Sequence, residues 1–450
     1  MTNNDTVFAL STPVGGAIQI MRISGPAARK TLETVFTGRI EPRRISYGTV
    51  TDADGSAIDS CCAVFFEAPA SYTGEDMAEI YCHGSRAVAA KLSERLAAAE
   101  FLRLAEAGEF TKRAYLNGKM DLARAEAVMD LVSAGAERSR KAALDQLEGR
   151  LSAVITGLYL RAKSLLAELA NYLEDDTGEA AFDPAASMTA ADELASETET
   201  LAENGMRSRI LREGARVAII GSPNVGKSSL LNALLLRERA IVTPIPGTTR
   251  DTLEESLSVE GIPVVLVDTA GIRETPDAVE SMGVARSRRE ATEADLVLWI
   301  VDGSRGLEPA DREILSSISG KRTVAVVAKS DLENVILLDG DGTFCSFPAV
   351  RTSAVTGDGI AELKRLIAET LLPGADEGAE NLVTNLRHVT ALERAESALD
   401  AAKSALGARD FDAAFFSYKN AMDAFASILG RDDPAEELVE SIFRDFCMGK

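Results

Sequence analysis

"VAIIGSPNVGKSSLLNALL", residues 217–235, decides the fold. An apolar, β-rich run passes into a helical pattern through a turn that reads G-x-x-x-x-G-K-[ST] from Gly221 to Ser228. Between a strand and a helix that pattern has a physical purpose: glycines let successive backbone N–H groups turn onto phosphate oxygens at the positive end of a helix. Asn224, Val225, Gly226, Lys227, Ser228 and Ser229 are expected to line a nucleoside triphosphate. Lys227 reaches the terminal phosphates and the Ser228 hydroxyl ligates Mg²⁺.

Outward from this loop, "IPVVLVD", "DLVLWIV", "TVAVVAK" and "CSFPAV" alternate with helical stretches, which predicts a parallel sheet with helices on both faces. "VDTAG" ends one strand, placing Asp268 for the Mg²⁺ shell and the Gly271 N–H for the γ-phosphate, with Thr269 and Ala270 between them. "TPIPGTTRD", from Thr243, supplies a loop over the nucleotide (Pro244, Ile245, Pro246, Gly247, Thr248) whose Thr249 hydroxyl completes the metal's coordination.

"TVAVVAKSDL", residues 323–332, ends on Ala328-Lys329-Ser330-Asp331, where guanine-nucleotide proteins usually carry Asn-Lys-x-Asp. Guanine presents its N1–H and exocyclic amine side by side, so one carboxylate accepting both discriminates it from adenine. Asp331 is that carboxylate, with Lys329 beside it. Ala328 removes an amide that would tie this loop to the phosphate loop. A lost hydrogen bond is worth about 0.5–1.5 kcal/mol, so affinity falls a few-fold to tenfold while specificity survives. "TSAVTGDG" adds Ser353 and the Ala354 backbone N–H, with Val355 where a lysine is frequent.

Many small GTPases place a glutamine after Asp-x-x-Gly to orient the attacking water. Here Ile272 occupies that position, so another acid must act: Glu274, Asp277 or Glu280.

At 450 residues the chain is too long for one core and predicts two to four domains of ~100–200 residues each. A composition of 46% hydrophobic and 26% charged residues is that of a globular protein. No apolar run is long enough to cross a bilayer and "MTNNDTVFAL" lacks the features of a signal peptide, so a cytoplasmic protein without a membrane partner is expected. Five scattered cysteines predict reduced thiols. The net charge of −22 argues against a large sequence-independent grip on nucleic acid; a partner or local patch must supply positive surface.

Residues 7–84 read as strands and Ser85–Ala99 as a helix, which makes an α+β domain. From Asp121 to about Tyr172 apolar residues recur at helical spacing, predicting bundle helices broken near Gly135 or Gly149. Glu174 to Ala195 is expected to be a bend or loop, and helical periodicity returns from Val389 to Phe446. The α/β domain is thus expected as an insertion into a helical domain.

"DTVFALSTPVGGAIQIMRISGP", "AEAGEFTKRAYLNGKMDLARAEAVMDLV", "TPIPGTTRDTLEE", "DTAGIRETPDAVESMG" and the terminal "FCMGK" join the phosphate loop in a set that resembles the MnmE or TrmE tRNA-modification GTPases. The resemblance runs from Asp5 to Lys450. It implies an N-terminal α+β folate-binding and dimerising domain (1–118), a helical bundle domain (119–212 and 378–450) and an inserted P-loop α/β (Ras-like) GTPase domain (213–377).

In that family the residue matching Glu280 orients the catalytic water, and K⁺ stands where other systems use an arginine finger. The ion's ligands map to Asn224, Thr243, Ile245 and Thr248. A monovalent cation there offsets charge that builds during transfer. The folate positions match Arg22, Glu79, Lys119 and Lys450; alone, the first three read as surface or loop charges. The folate is a 5-formyl- or 5,10-methylene-tetrahydrofolate. Cys447 is either a reactive thiol or a packed one, and "CMGK" is a poor prenylation box. His83 and His388 read as structural.

The activity implied is K⁺-dependent GTP hydrolysis by a homodimer which, with a flavoprotein of the MnmG or GidA type carrying the FAD, installs a carboxymethylaminomethyl group at C5 of the wobble uridine of certain tRNAs. Departures are Ala328, Val355, Pro244 and Pro246. The rival readings are a ribosome-assembly GTPase, which shares "GTTRD" and "DTAG", and a folate-binding scaffold with a weakened nucleotide domain.

Overall fold

The computed structural model describes residues 5–175, 181–235, 254–268, 292–333, 335–336, 344, 347–373, 383–431, 436–444 and 446–450. The chain divides into two compact units, Met1–Met129 with Ala426–Lys450, and Asp130–Phe425.

In the first unit β1 (Thr6–Leu10), β2 (Ile18–Ser24), β3 (Ser46–Thr51), β4 (Ala57–Phe66), β5 (Met77–His83) and β6 (Leu102–Leu104) form one sheet in the order β3-β4-β5-β2-β1-β6. Its pairs are antiparallel except β1 with β6. Alternation along β2 turns Met21 and Ile23 onto the core, where Leu32 of helix Ala28–Val35 and Leu92 and Leu96 of helix Arg86–Ala97 cover them. Ser85 caps the second helix by accepting the Ala87 N–H at 3.2 Å. β3 carries Gly48 inside "SYGTVT". Glycine is required there: a side-chain carbon would lie 2.6 Å from the Gly38 backbone nitrogen. The chain's end returns to this unit, with Val439, Phe443 and Phe446 packed on Leu122 and Ala125.

In the second unit β7 (Ala215–Ile220), β8 (Glu254–Val259), β9 (Ile262–Asp268), β10 (Leu296–Asp302), β11 (Thr323–Ala328) and β12 (Ala349–Arg351) form a sheet ordered β12-β11-β10-β7-β9-β8. The sheet is parallel, as expected, except at its edge, where β8 runs antiparallel to β9. The buried core strands carry the near-continuous apolar runs of a sheet covered on both faces.

Helices Leu122–Ser133, Glu137–Leu147 and Arg150–Leu173 break near Gly135 and again near Gly149, where a break at one or the other was expected. The loop expected from Glu174 to Ala195 is corrected: Pro184–Ser208 is a helix. Asp183 accepts the N–H groups of Ala185 and Ala186, and Pro184 sits in the first turn, a start signal that acidic composition masked. This helix packs along Leu386–Gly407, where Gly205 admits Val383 and Val389 so closely that a side-chain carbon would lie 2.7 and 2.8 Å from their methyls. Among the described residues no helix is long and apolar enough to cross a membrane.

Arg113, 2% exposed, pairs with Glu109 at 2.8 Å, Asp5 at 2.8 Å and Glu75 at 3.1 Å. Burial pushes the Glu109 carboxyl up, but Arg103, the Glu106 N–H and Arg113 outweigh it and hold it below its ordinary value. Its stabilising contribution is complete above about pH 4.5 and is lost as pH falls through the lower folded value. Arg113→Ala, which leaves Glu109 and Asp5 to Arg103 alone and takes from Glu75 its ion-pair partner, is expected to cost about 3–5 kcal/mol in urea unfolding at pH 7. The difference from the native chain should shrink in acid.

Candidate functional site

β7 delivers the chain to Gly221, packed so tightly on β10 that a side-chain carbon would sit 2.4 Å from the Ile300 carbonyl oxygen. Asn224 at φ 62° and Gly226 at φ 105° turn the loop through left-handed backbone, and fully buried Val225 pegs it to the core. Helix Lys227–Leu235 starts immediately afterwards. The Lys227 ammonium donates to the carbonyls of Gly221 at 2.8 Å and Ser222 at 2.9 Å. Asn224, Ser228 and Ser229 are exposed at the mouth of the loop.

β11 ends beside this loop. A side-chain carbon built on Gly226 would lie 3.8 Å from the Ala328 Cβ, so the shortened side chain faces the phosphate loop. Lys329, at φ 61°, donates to Asp302 at 2.6 Å. Burial raises the Asp302 carboxyl, but Lys329 and the hydroxyl and N–H of Ser304 prevail and hold it below its ordinary range. Asp331 is exposed, and its Oδ1 accepts the Ser353 hydroxyl at 2.6 Å. Ser353 Oγ in turn accepts the N–H groups of Val355 and Thr356, both at 3.2 Å. A recessed serine thus aims the carboxylate, while Val355 is 85% exposed.

The parallel register brings the carboxyl ends of β7, β9, β10, β11 and β12 to one edge, where ligands of open α/β sheets bind. Asp268 closes β9 beside Ile219. The side chain of Asp268 lies outside the described residues. So do Thr243, Pro244, Ile245, Pro246, Gly247, Thr248, Thr249, Thr269, Ala270, Gly271, Glu274, Asp277 and Glu280. The chemistry of the described donors suits a triphosphate with Mg²⁺: a left-handed amide loop, a helix N-terminus, an ammonium and a hydroxyl in the first helical turn.

A second constellation lies in the N-terminal unit. Arg22 of β2 and Glu79 of β5 are register partners, bridged at 2.8 Å with side chains 17% and 10% exposed. That corrects their reading as surface charges. Glu79 also accepts the Tyr81 hydroxyl at 2.7 Å, and burial together with Glu79 pushes the Tyr81 phenol up. The Arg22 guanidinium lies 5.5 Å from the ring centroids of Tyr72 and Phe110 and donates to the Gly449 carbonyl at 3.3 Å.

Glu79 and Lys119 line a cleft of about 540 Å³ with Arg43, Phe66, Tyr72 and Met77. Apolar walls, one carboxylate and two cations suit a heteroaromatic ring bearing an anionic tail. Lys119 donates to the Pro69 carbonyl at 2.9 Å. The Lys450 carbonyl accepts the Phe110 N–H at 3.1 Å, which brings the chain's end to this unit. Cys447 is exposed, and its carbonyl accepts the Gly108 N–H at 3.4 Å. Of the other cysteines, Cys61 is buried, which together with Asp59 pushes its thiol up to about 12. His83 ends β5 with Nδ1 2.8 Å from Asp59, and His388 is fully buried.

Sequence reasoning missed Asp302, Arg305, Asp311 and Ser222 at the nucleotide edge, and Tyr72, Phe66 and Arg43 in the cleft. Asp302 was findable, since it ends the apolar run "LVLWIVD" where the sheet exposes its carboxyl ends. The cleft residues come from different loops and strands and carry no shared spacing.

A left-handed phosphate loop and a β11 end bearing Lys-x-Asp at the same sheet edge define a P-loop GTPase. The sequence matches two described families, "GTP-binding protein TrmE N-terminus" over residues 6–119 and "MnmE helical domain" over residues 122–447. It is 41% identical to "tRNA modification GTPase MnmE" of Carboxydothermus hydrogenoformans over 99% of both chains. It is 39% identical to the protein of that name from Bacillus subtilis over 99% of this chain and all of the other. The chain belongs to the MnmE family of tRNA modification GTPases.

Solved structures similar to it include the G domain of the T. maritima FeoB iron transporter (28% identity, 35% of this chain and 98% of that one, TM-score 0.27). Another is Aquifex aeolicus Era bound to GDP and AlF4⁻ (29% identity, 41% and 66%, TM-score 0.27).

Gly359, at φ 73°, ends the loop that carries Ser353, and a side-chain carbon there would lie 1.8 Å from the Arg351 carbonyl oxygen. Gly359→Ala is expected to destabilise the protein by about 1–3 kcal/mol, measured by thermal unfolding, because backbone has to move.

Proposed function

We propose that this chain is a K⁺-dependent GTP hydrolase which, with a flavoprotein partner of the MnmG or GidA type, installs a carboxymethylaminomethyl group at C5 of the wobble uridine of certain tRNAs. The observation that carries the reading is the meeting of the Lys227 loop with the Ser353-aimed carboxylate of Asp331 at one sheet edge, in a chain related to MnmE proteins over its whole length. The phosphate loop from Asn224 to Ser229 holds the triphosphate. Ser228 and Thr249 hold Mg²⁺, with Asp268, Thr269, Ala270 and Gly271 beside them, and Asn224, Thr243, Ile245 and Thr248 hold K⁺. Bound there, the two cations supply compensation for charge at the phosphates. Lys329, Asp331, Ser353 and Ala354 hold guanine, and Glu280 orients the attacking water.

The cleft lined by Glu79 and Lys119 takes a tetrahydrofolate derivative that furnishes a one-carbon unit, with Arg22 bridged to Glu79 and Lys450 as the further folate positions. Glu79 retains an acceptor position on Oε2 for a pterin, since Arg22 occupies Oε1 and the Tyr81 hydroxyl takes one position of Oε2. The protein works as a cytoplasmic homodimer, with residues 1–118 binding folate, 213–377 hydrolysing GTP and the helical segments 119–212 and 378–450 joining them. FAD resides on the partner, which also supplies positive surface for tRNA to a chain of net charge −22.

GTP is expected to bind at least tenfold tighter than ATP by titration calorimetry, and Ala328→Asn to tighten it a few-fold to tenfold. Equal binding of the two nucleotides contradicts the assignment of Asp331. GTP turnover is expected to be higher in K⁺ than in Na⁺ by tenfold or more. Glu280→Ala should lower kcat by about 10²–10⁴. Turnover indifferent to both would refute the mechanism.

A further inference from the structure

The two loops of the nucleotide edge are joined by side chains other than the one that is missing. Ser222, next in sequence to Gly221, donates its hydroxyl to Asp311 Oδ1 at 2.5 Å, and Asp311 is 1% exposed in the first turn of helix Pro309–Ser317. The other oxygen of Asp311 accepts Arg305 at 3.2 Å and the Glu308 N–H at 3.0 Å. Arg305 also lies 2.9 Å from Glu308 and 4.0 Å from Asp302. Asp302 holds Lys329 at 2.6 Å, is register partner of Ala328 across β10 and β11, and is fixed by the Ser304 hydroxyl at 2.6 Å. The path from the phosphate loop to the base loop is therefore Ser222, Asp311, Arg305, Asp302, Lys329.

We infer that this polar relay, through the positioning residues Asp302, Arg305 and Asp311, couples the phosphate loop to the base loop in place of the amide that Ala328 lacks. Three features support it. The Ala328 methyl faces Gly226 and contributes no hydrogen bond across the 3.8 Å gap measured to a carbon built there. The relay's carboxylates are held at both oxygens, so their geometry is fixed before ligand arrives. Lys227 rests on the carbonyl of Ser222, the residue whose hydroxyl opens the relay, so a shift of Asp311 reaches the phosphate-binding ammonium within one residue. The inference rests on the reading that Lys227 and Asp331 hold one guanine nucleotide.

A double-mutant cycle on the full chain with a fluorescent GDP tests it. Asp302→Asn is expected to weaken binding about tenfold in the native background and no more than about twofold beside Ala328→Asn, because the restored amide ties the loops directly. Ser222→Ala, which touches neither Asp302 nor the base loop, is expected to show the same background dependence and carries the cycle if Asp302→Asn lowers the thermal midpoint. The KM for GTP should rise in both with kcat held within about twofold, a split that general loosening would not produce. Equal losses in both backgrounds, or no loss in either, overturn the relay while leaving the nucleotide assignment intact. Failure of the native protein to bind GDP overturns both.

Discussion

The parallel hydrogen bonding of β7 to its neighbours β9 and β10 is the constraint on which the nucleotide edge depends. It sets the carboxyl ends of those strands, and of β11 and β12, side by side. The phosphate loop can then close only if Gly221 lacks a side chain, since the Ile300 carbonyl occupies that space. Tight strand packing, left-handed backbone at Asn224 and Gly226, and the start of the Lys227 helix follow as one arrangement. Chemistry is thus positioned by backbone first and by side chains second.

Electrostatics works locally inside a strongly acidic chain. Arg113 and Arg103 gather Asp5, Glu75 and Glu109 in the N-terminal unit, and Lys329 and Arg305 gather Asp302 and Asp311 at the nucleotide edge. The buried carboxylates Glu109, Asp302 and Asp311 thus each face a cation, which offsets the cost of their burial. Arg22 differs, since it holds Glu79 at the rim of an open cleft and stacks on aromatic rings there.

Much of this was legible in the sequence because glycine and apolar periodicity are local signals. The strand-loop-helix around Gly221, the Asp331 carboxylate and the helix breaks near Gly135 and Gly149 are read from neighbouring residues. What sequence hid is nonlocal. The close approach of Gly38 to Gly48 and the ordered burial of Arg22 appear only with the neighbouring strands in place. The helix Pro184–Ser208 was lost to its acidic composition although Asp183-Pro184 announced it. The link from Ser222 to Asp311 spans 89 residues and has no sequence signature.

On the proposed function, a carboxylate aimed by Ser353 reads guanine beside a phosphate loop that Ala328 cannot hydrogen-bond. Measuring GTP against xanthosine triphosphate tests it most directly, since xanthine replaces the exocyclic amine of guanine with a carbonyl. The native chain should prefer GTP by about 10²-fold or more, and Asp331→Asn, which offers a donor where there was an acceptor, should reverse the order. A variant that keeps the native preference for GTP would contradict the account.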